Sequence, residues 1–205
     1  MKTTRTLKLF TFLIIAIISA QACKAIKQDS DAIQLSIFQN GKEIPVNKPE
    51  KTVHLKKSPF SLRFFNRKYD LDNKKFYAAQ IAAFTNKAEF DKITIGSSKA
   101  DLAYFKPGSG MATHENSMYE ALFVDKIGHH YTFYQNTNNR RLNLLDDTGE
   151  LPKFEFEINA LHYNHTRVNI SDSNINKLYI AFLIDKNLNG IIDKGELHKL
   201  IIKLK

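Results

Sequence analysis

The sequence predicts a mainly β protein, either an antiparallel sandwich or a partly open barrel with one or two short helices, with an α+β arrangement as the alternative. Apolar and polar residues alternate with a period of two in several short segments, as on half-buried strands. Asn, Asp and Gly separate these segments, and helical stripes are few. The composition is that of an ordinary globular chain, with 43% hydrophobic and 25% charged residues.

The first predicted element is a β-hairpin. Residues 33–37 alternate, and Asn40-Gly41 follows, which is the strongest short signal for a two-residue hairpin turn. Residues 42–46 then form the predicted return strand. The same alternation predicts further strands at 52–55, 60–64 and 154–158.

The middle of the chain is less regular. Residues 76–84 place apolar side chains on one helical face but also suit a buried strand. Asn86 with Glu89 three residues later resembles a capping box, which predicts a short helix that ends near Lys92. Beyond it we expect a long loop at 106–117 and strands at 122–124 and 131–134.

The N-terminus has the three parts of a secretory signal peptide. Basic residues precede an apolar stretch at 9–18, and the small residues Ala20 and Ala22 stand before Cys23. The apolar stretch is shorter than the ~20 residues that a membrane-spanning helix needs. We therefore expect a cleaved leader at 1–22 and do not expect a permanent membrane span.

The end of the leader resembles a relaxed bacterial lipobox, with Ala20 in the place where leucine is most usual. The resemblance implies that Cys23, the only cysteine, receives the acyl chains that anchor a lipoprotein in the cell envelope. The alternative is plain secretion, with a free thiol or a thiol that pairs with a second molecule. The domains expected are the signal peptide 1–22, a lipidated tether 23–31 and a single β-rich domain 32–205.

The charge is positive but dispersed. The formal net charge is +9, and it falls to +6 without the leader, which contains Lys2, Arg5 and Lys8 and no acidic residue. No run of five like charges appears, so a solvated basic surface is the simplest interpretation. We expect a membrane contact through the N-terminal lipid anchor and a possible protein or polysaccharide partner, but no nucleic acid.

Residues 185–196 carry the most specific chemistry. Oxygen donors stand at alternate positions around a glycine, Gly190, and the spacing resembles the 12-residue calcium loop of the EF-hand. The resemblance implies a site for Ca²⁺, because a hard cation takes six to eight oxygens from a tightly curled loop. The implied ligands are Asp185, Asn187, Asn189, the carbonyl of Ile191, Asp193 and Glu196.

The flanks of this loop depart from the EF-hand. Leu188 occupies a position that is usually polar, and residues 178–184 before the loop are typical of a buried strand. The exit after Glu196 fits either a helix or a strand. We therefore predict strand, calcium loop and strand, with a plain turn at Asn189-Gly190 as the alternative.

Other candidate chemistry is sparse. The pairs His129-His130 and His162/His165 diverge on a strand, so surface or packing roles are expected for them. His114-Glu115 lacks the second histidine of a zinc-protease motif, and Ser109 lacks a nucleophile elbow. Whether the chain is an enzyme stays open, and a non-catalytic role is preferred.

These features together predict a calcium-binding lipoprotein of the bacterial cell envelope with a non-catalytic binding or structural β domain. Calcium is expected to have a structural role. One alternative is a secreted or envelope hydrolase or carbohydrate-active enzyme that uses the loop at 106–118. Another is an inhibitor or immunity-type lipoprotein that neutralises a partner protein.

Overall fold

Strands dominate the part of the chain that the computed structural model describes, which is residues 33–111, 121–125, 128–134 and 141–205. Fourteen strands there form three sheets, with one short α-helix, α1 (Lys87–Asp91). In chain order the strands are β1 (Leu35–Gln39), β2 (Lys42–Val46), β3 (Glu50–Leu55), β4 (Phe60–Phe65), β5 (Ala79–Phe84), β6 (Gly110–Met111), β7 (Leu122–Phe123), β8 (His129–Thr132), β9 (Leu142–Asp146), β10 (Lys153–Ile158), β11 (Ala160–Tyr163), β12 (Thr166–Asn169), β13 (Lys177–Ile184) and β14 (Leu197–Leu204). The predicted leader, Cys23 and tether lie outside the described residues.

The five-stranded sheet is antiparallel throughout, in the order β2-β1-β4-β10-β9. Its first hairpin turns at Asn40 and Gly41, whose φ angles of 51° and 76° fit a two-residue type I′ turn. The predicted hairpin is therefore confirmed. The strands predicted at 52–55, 60–64 and 154–158 are confirmed as parts of β3, β4 and β10.

The six-stranded sheet has the order β3-β14-β13-β5-β8-β6. Its two longest strands, β13 and β14, are antiparallel neighbours. At one edge β3 runs parallel to β14, and at the other β6 runs parallel to β8. Three short strands, in the order β12-β11-β7, form the third sheet.

The two large sheets pack face to face through every second residue. Phe64 of β4 and Phe182 of β13 meet edge to face, with ring centroids 4.9 Å apart. The buried layer around them draws on both sheets and includes Leu62, Phe154, Phe156, Ile81 and Ile180. This layer is the core of a β sandwich, which confirms the predicted fold class.

The outer face of the six-stranded sheet is buried as well. Phe84 and Leu183 lie on that face and pack with Phe90 of α1, Phe105 and Ile192. Since β5 and β13 are covered on both faces, their sequences are apolar at consecutive positions and lose the period of two. This double burial explains why residues 76–84 suited a helix and a strand alike.

Helix α1 forms where the capping signal predicted it. The Asn86 side chain accepts a hydrogen bond from the Ala88 N–H at 2.9 Å, and the helix is capped at its end by Lys92. It has five residues. No helix in the described parts of the chain is long and apolar enough to cross a membrane.

Candidate metal site

The loop predicted to bind calcium, residues 185–196, connects the two longest strands of the six-stranded sheet. The Ile184 N–H at the end of β13 donates to the Glu196 carbonyl at 3.0 Å, which closes the base of the loop. The exit is a strand because every second residue enters the sandwich core, namely Leu200, Ile202 and Leu204. The loop therefore lies between two strands, as predicted, and not between two helices.

The first and last ligand candidates, Asp185 and Glu196, are each only 3% exposed. The two carboxylate oxygens of Asp185 accept from the N–H groups of Asn189 and Gly190 at 3.2 and 2.9 Å. The two carboxylate oxygens of Glu196 accept from the N–H groups of Lys186 and Asp193 at 2.7 and 2.9 Å. These charge-assisted bonds offset the loss of hydration, so both carboxylates are held in place from either end of the loop.

The other predicted ligands bond with one another. The Nδ2 atoms of Asn187 and Asn189 donate to Oδ2 of Asp193 at 2.8 and 2.9 Å, and Asn189 Oδ1 accepts from the Ile191 N–H at 2.7 Å. Ile191 lies opposite Ser98 in an isolated antiparallel bridge, and the residues on either side of them make the backbone hydrogen bonds. The Ile191 carbonyl therefore points away from Ser98. All six predicted ligand residues are thus joined in one hydrogen-bond network.

Gly190 meets the backbone requirement that its position in the motif implies. Its φ angle is +80°, in the left-handed region that glycine adopts without cost. A Cβ at Gly190 would meet no atom within 4 Å, so conformation and not space requires glycine. Leu188, two residues earlier, also has a positive φ of 60° and is 40% exposed. Gly195 has a positive φ of 88° as well, so three residues of the loop adopt the left-handed conformation.

A lysine from a distant part of the chain also contacts the loop. Nζ of Lys99 lies 2.7 Å from Oδ2 of Asp185 and 3.2 Å from Oε1 of Gln80. The side chains of the ion pair are only 15% and 4% exposed. The Lys99 N–H also donates to the Gly190 carbonyl at 2.9 Å. Sequence reasoning missed Lys99, because no motif around it signals a partner in the loop.

The loop as it stands satisfies its own polar groups. Within residues 33–111, 121–125, 128–134 and 141–205, no three His, Cys, Asp or Glu side chains are placed to hold one metal ion. The donor set nonetheless fits a hard cation, since every candidate is an oxygen ligand at the spacing such an ion uses.

The adjacent histidines of β8 point to opposite faces of the sheet, as predicted. His129 lies with Nε2 2.9 Å from Nε2 of Gln80, and its ring meets Phe105 at a centroid distance of 5.4 Å. His130 accepts from the Phe123 N–H at 3.0 Å and stacks on the Phe123 ring at 4.2 Å. The two side chains are 1% and 0% exposed, so both pack inside the protein.

Burial keeps these histidines neutral. Desolvation lowers the pKa of His129 to about 4 and holds the pKa of His130 well below its ordinary value. Burial also lowers the pKa of His162, whereas its predicted companion His165 is exposed at the surface. The packing and surface roles expected from the sequence fit all four histidines.

The loop at 106–118, which the alternative hypothesis used as an active site, is described only as far as Met111. The Ser109 hydroxyl donates to the Lys106 carbonyl at 2.6 Å, so the hydroxyl proton is engaged within its own turn. His114 and Glu115 lie outside the described residues.

By fold and candidate site, the chain is a β-sandwich protein with an oxygen-rich loop between two core strands. Comparisons with protein-family models, with curated proteins and with solved structures found no match.

Proposed function

We propose that this chain is a calcium-binding lipoprotein of the bacterial cell envelope, with a non-catalytic binding or structural β domain that calcium stabilises. The observation that carries the proposal is the loop at 185–196. It presents six oxygen donors at EF-hand spacing, with Gly190 in the left-handed conformation, between two strands of the core.

Calcium in this loop acts on the sheet that contains it. Asp185 follows β13 and Glu196 precedes β14, so an ion shared by the two carboxylates ties these strands together at their connection. Both strands supply the sandwich core, so the tie opposes opening of the whole sheet. With three carboxylates and two amides, the expected affinity is modest, near the ~10⁻⁴–10⁻³ M of extracellular modules.

The envelope location is supported by the leader and Cys23 in the sequence alone. Both lie outside the described residues. An acylated Cys23 holds the domain beyond the cytosol, where calcium is plentiful. Modest affinity then suffices to fill the loop. The anchor and the loop therefore support each other.

A binding role is supported by an apolar surface on the turn that follows β4. Leu71 is 75% exposed and Phe76 38% exposed. The Phe76 ring packs against Tyr69 and Phe133 at centroid distances of 4.4 and 4.9 Å, which holds it in place. Leu71 and Phe76 are therefore the candidate contacts for a protein or polysaccharide partner.

One pocket in the described part of the chain lies beside β3. This pocket of about 300 Å³ contains one carboxylate, and its lining residues are Asn47, Lys48, Glu50, Lys51 and Thr52. A hydrolase that uses a pair of carboxylates would need a second carboxylate in this pocket, and a serine hydrolase would need a paired serine and histidine. The buried histidines His129 and His130 are neutral packing residues instead.

Thermal unfolding in 10 mM calcium or in chelator tests the calcium proposal. At the expected affinity, 10 mM calcium stabilises the folded state by about 1.4–2.7 kcal/mol. The midpoint Tm then rises by roughly 3–10 °C for a domain of this size. Magnesium at 10 mM is the control, since it keeps its waters and needs a stricter geometry. Equal midpoints in calcium and chelator would refute calcium binding.

Metabolic labelling with a palmitate analogue tests the anchor separately. Label is expected on the exported chain and is lost in the Cys23→Ser variant, because the thiol is the acceptor of the acyl group. An exported wild-type chain without label refutes the lipoprotein assignment and leaves the calcium proposal standing.

A further inference from the structure

A nearly buried ion pair joins Lys99 to Asp185, the first predicted calcium ligand. Nζ of Lys99 lies 2.7 Å from Oδ2 of Asp185, and the two side chains are 15% and 4% exposed. Burial of a lysine ammonium carries a large desolvation penalty, and only a strong partner offsets that penalty. Gln80 Oε1, at 3.2 Å from Nζ, adds a second acceptor. The ammonium therefore occupies a built position and not a chance surface contact.

This position conflicts with a metal ion in the loop. Oδ2 of Asp185, the first predicted ligand, accepts both the Lys99 ammonium and the Gly190 N–H. A dication bound to the same carboxylate would lie within a few ångströms of the ammonium, where like charges repel strongly in partly buried surroundings. The ammonium and calcium are therefore alternative cations for Asp185.

The backbone around Lys99 allows the exchange. Lys99 N–H donates to the Gly190 carbonyl at 2.9 Å, and the Ile192 N–H donates to the Ser97 carbonyl at 2.9 Å. These bonds attach the chain at 97–99 to the loop independently of the lysine side chain. Only the four-carbon stem of Lys99, which is flexible, has to swing away from Asp185.

We propose that Lys99 is an internal counter-ion that calcium displaces from Asp185, an inference that rests on the calcium-binding function proposed above. Without calcium, the ammonium neutralises Asp185 and keeps the connection between β13 and β14 closed. With calcium, the side chain of Lys99 moves out and the ion takes its place. Lys99 thereby sets the affinity of the loop and preserves the fold when calcium is scarce.

Calcium titration of the exported chain and its Lys99→Met variant, by calorimetry and by thermal unfolding, tests this inference. Methionine keeps much of the apolar stem and removes the charge. The variant is expected to bind calcium about 10-fold more tightly than wild type, within the usual range for coupled sites. In chelator its midpoint falls by several degrees, and calcium restores it. Lys92→Met is the matched control, because the Lys92 side chain is 63% exposed and pairs with Glu89 on α1.

The outcomes separate the two proposals. Equal calcium affinity in wild type and Lys99→Met overturns the counter-ion role and leaves calcium binding intact. Weaker binding in the variant also overturns it, since Lys99 then assists the site. Absence of binding in both proteins refutes the proposed function itself. If Lys99→Met does not fold, Lys99→Gln supplies the neutral side chain and is expected to bind more tightly in the same way.

Discussion

Lowering the pH from 7.5 to 5.0 is expected to destabilise this protein through the histidines of β8. His129 has a pKa of about 4 in the folded protein because burial disfavours the imidazolium, whereas an unfolded histidine titrates near ~6.5. The folded pKa is depressed, so the unfolded state binds the proton more readily. The stability that neutral His129 contributes is present above pH 6.5 and is lost as the pH falls toward 4.

The size of the effect follows from the difference between the two pKa values. At pH 5.0 the unfolded histidine is about 1.5 pH units below its midpoint, and each unit corresponds to about 1.4 kcal/mol. His129 therefore loses about 2 kcal/mol between pH 7.5 and 5.0. Burial also holds the pKa of His130 well below its ordinary value, so His130 adds to the loss in the same direction. The loss of about 2 kcal/mol from His129 alone is a large share of the stability of a typical domain.

Urea unfolding of wild type, His129→Gln and His165→Gln at both pH values measures this loss. Glutamine cannot be protonated in this range, so His129→Gln is expected to reduce the pH-dependent difference by about 2 kcal/mol. His165→Gln is the matched control, because this histidine lies exposed at the surface. The window lies above the range in which carboxylates titrate. An equal pH-dependent difference in wild type and His129→Gln would refute the argument from burial.

Two further predictions concern packing. Gly110→Ala should cost roughly 1–3 kcal/mol, because the new Cβ would lie 2.6 Å from His129 Nε2 and 2.8 Å from Tyr131 Cβ, whereas at Gly149 the nearest atom is 3.7 Å away. Urea unfolding of Gly110→Ala and Gly149→Ala tests this difference in stability, and equal unfolding midpoints would contradict the clash. Phe182→Ala should cost about 3–5 kcal/mol, since it empties the contact with Phe64 in the fully buried sandwich core. A loss no larger than that of Phe76→Ala, at a 38% exposed ring, would show that the core tolerates the cavity.

The sequence predicted the elements that depend on residues close together in the chain. The Asn40-Gly41 turn and the Asn86 cap depend on residues within a few positions of one another, and both formed as predicted. Strands β4 and β10 have one face on the core, so their sequences alternate. The oxygen donors at 185–196 are likewise a local pattern, and the loop lies between strands as expected.

The elements that were missed carry weaker patterns. Strand β11 is buried at three consecutive residues and β12 is mostly exposed, so neither alternates. The strand expected at 131–134 lies at His129–Thr132, since aromatic residues at the C-terminal end drew the prediction toward them. Double burial removed the period of two from β5 as well.

The sequence by itself determined the fold class, the first turn, the helix cap and the candidate calcium ligands, because each depends on neighbours in the chain. Only the tertiary structure brought Lys99 against Asp185 and enclosed His129 and His130 between packed layers. Ion pairing and burial depend on which residues meet across the sheets, and no local pattern encodes those meetings. The candidate ligands could therefore be named in advance, whereas the cation that now neutralises Asp185 could not.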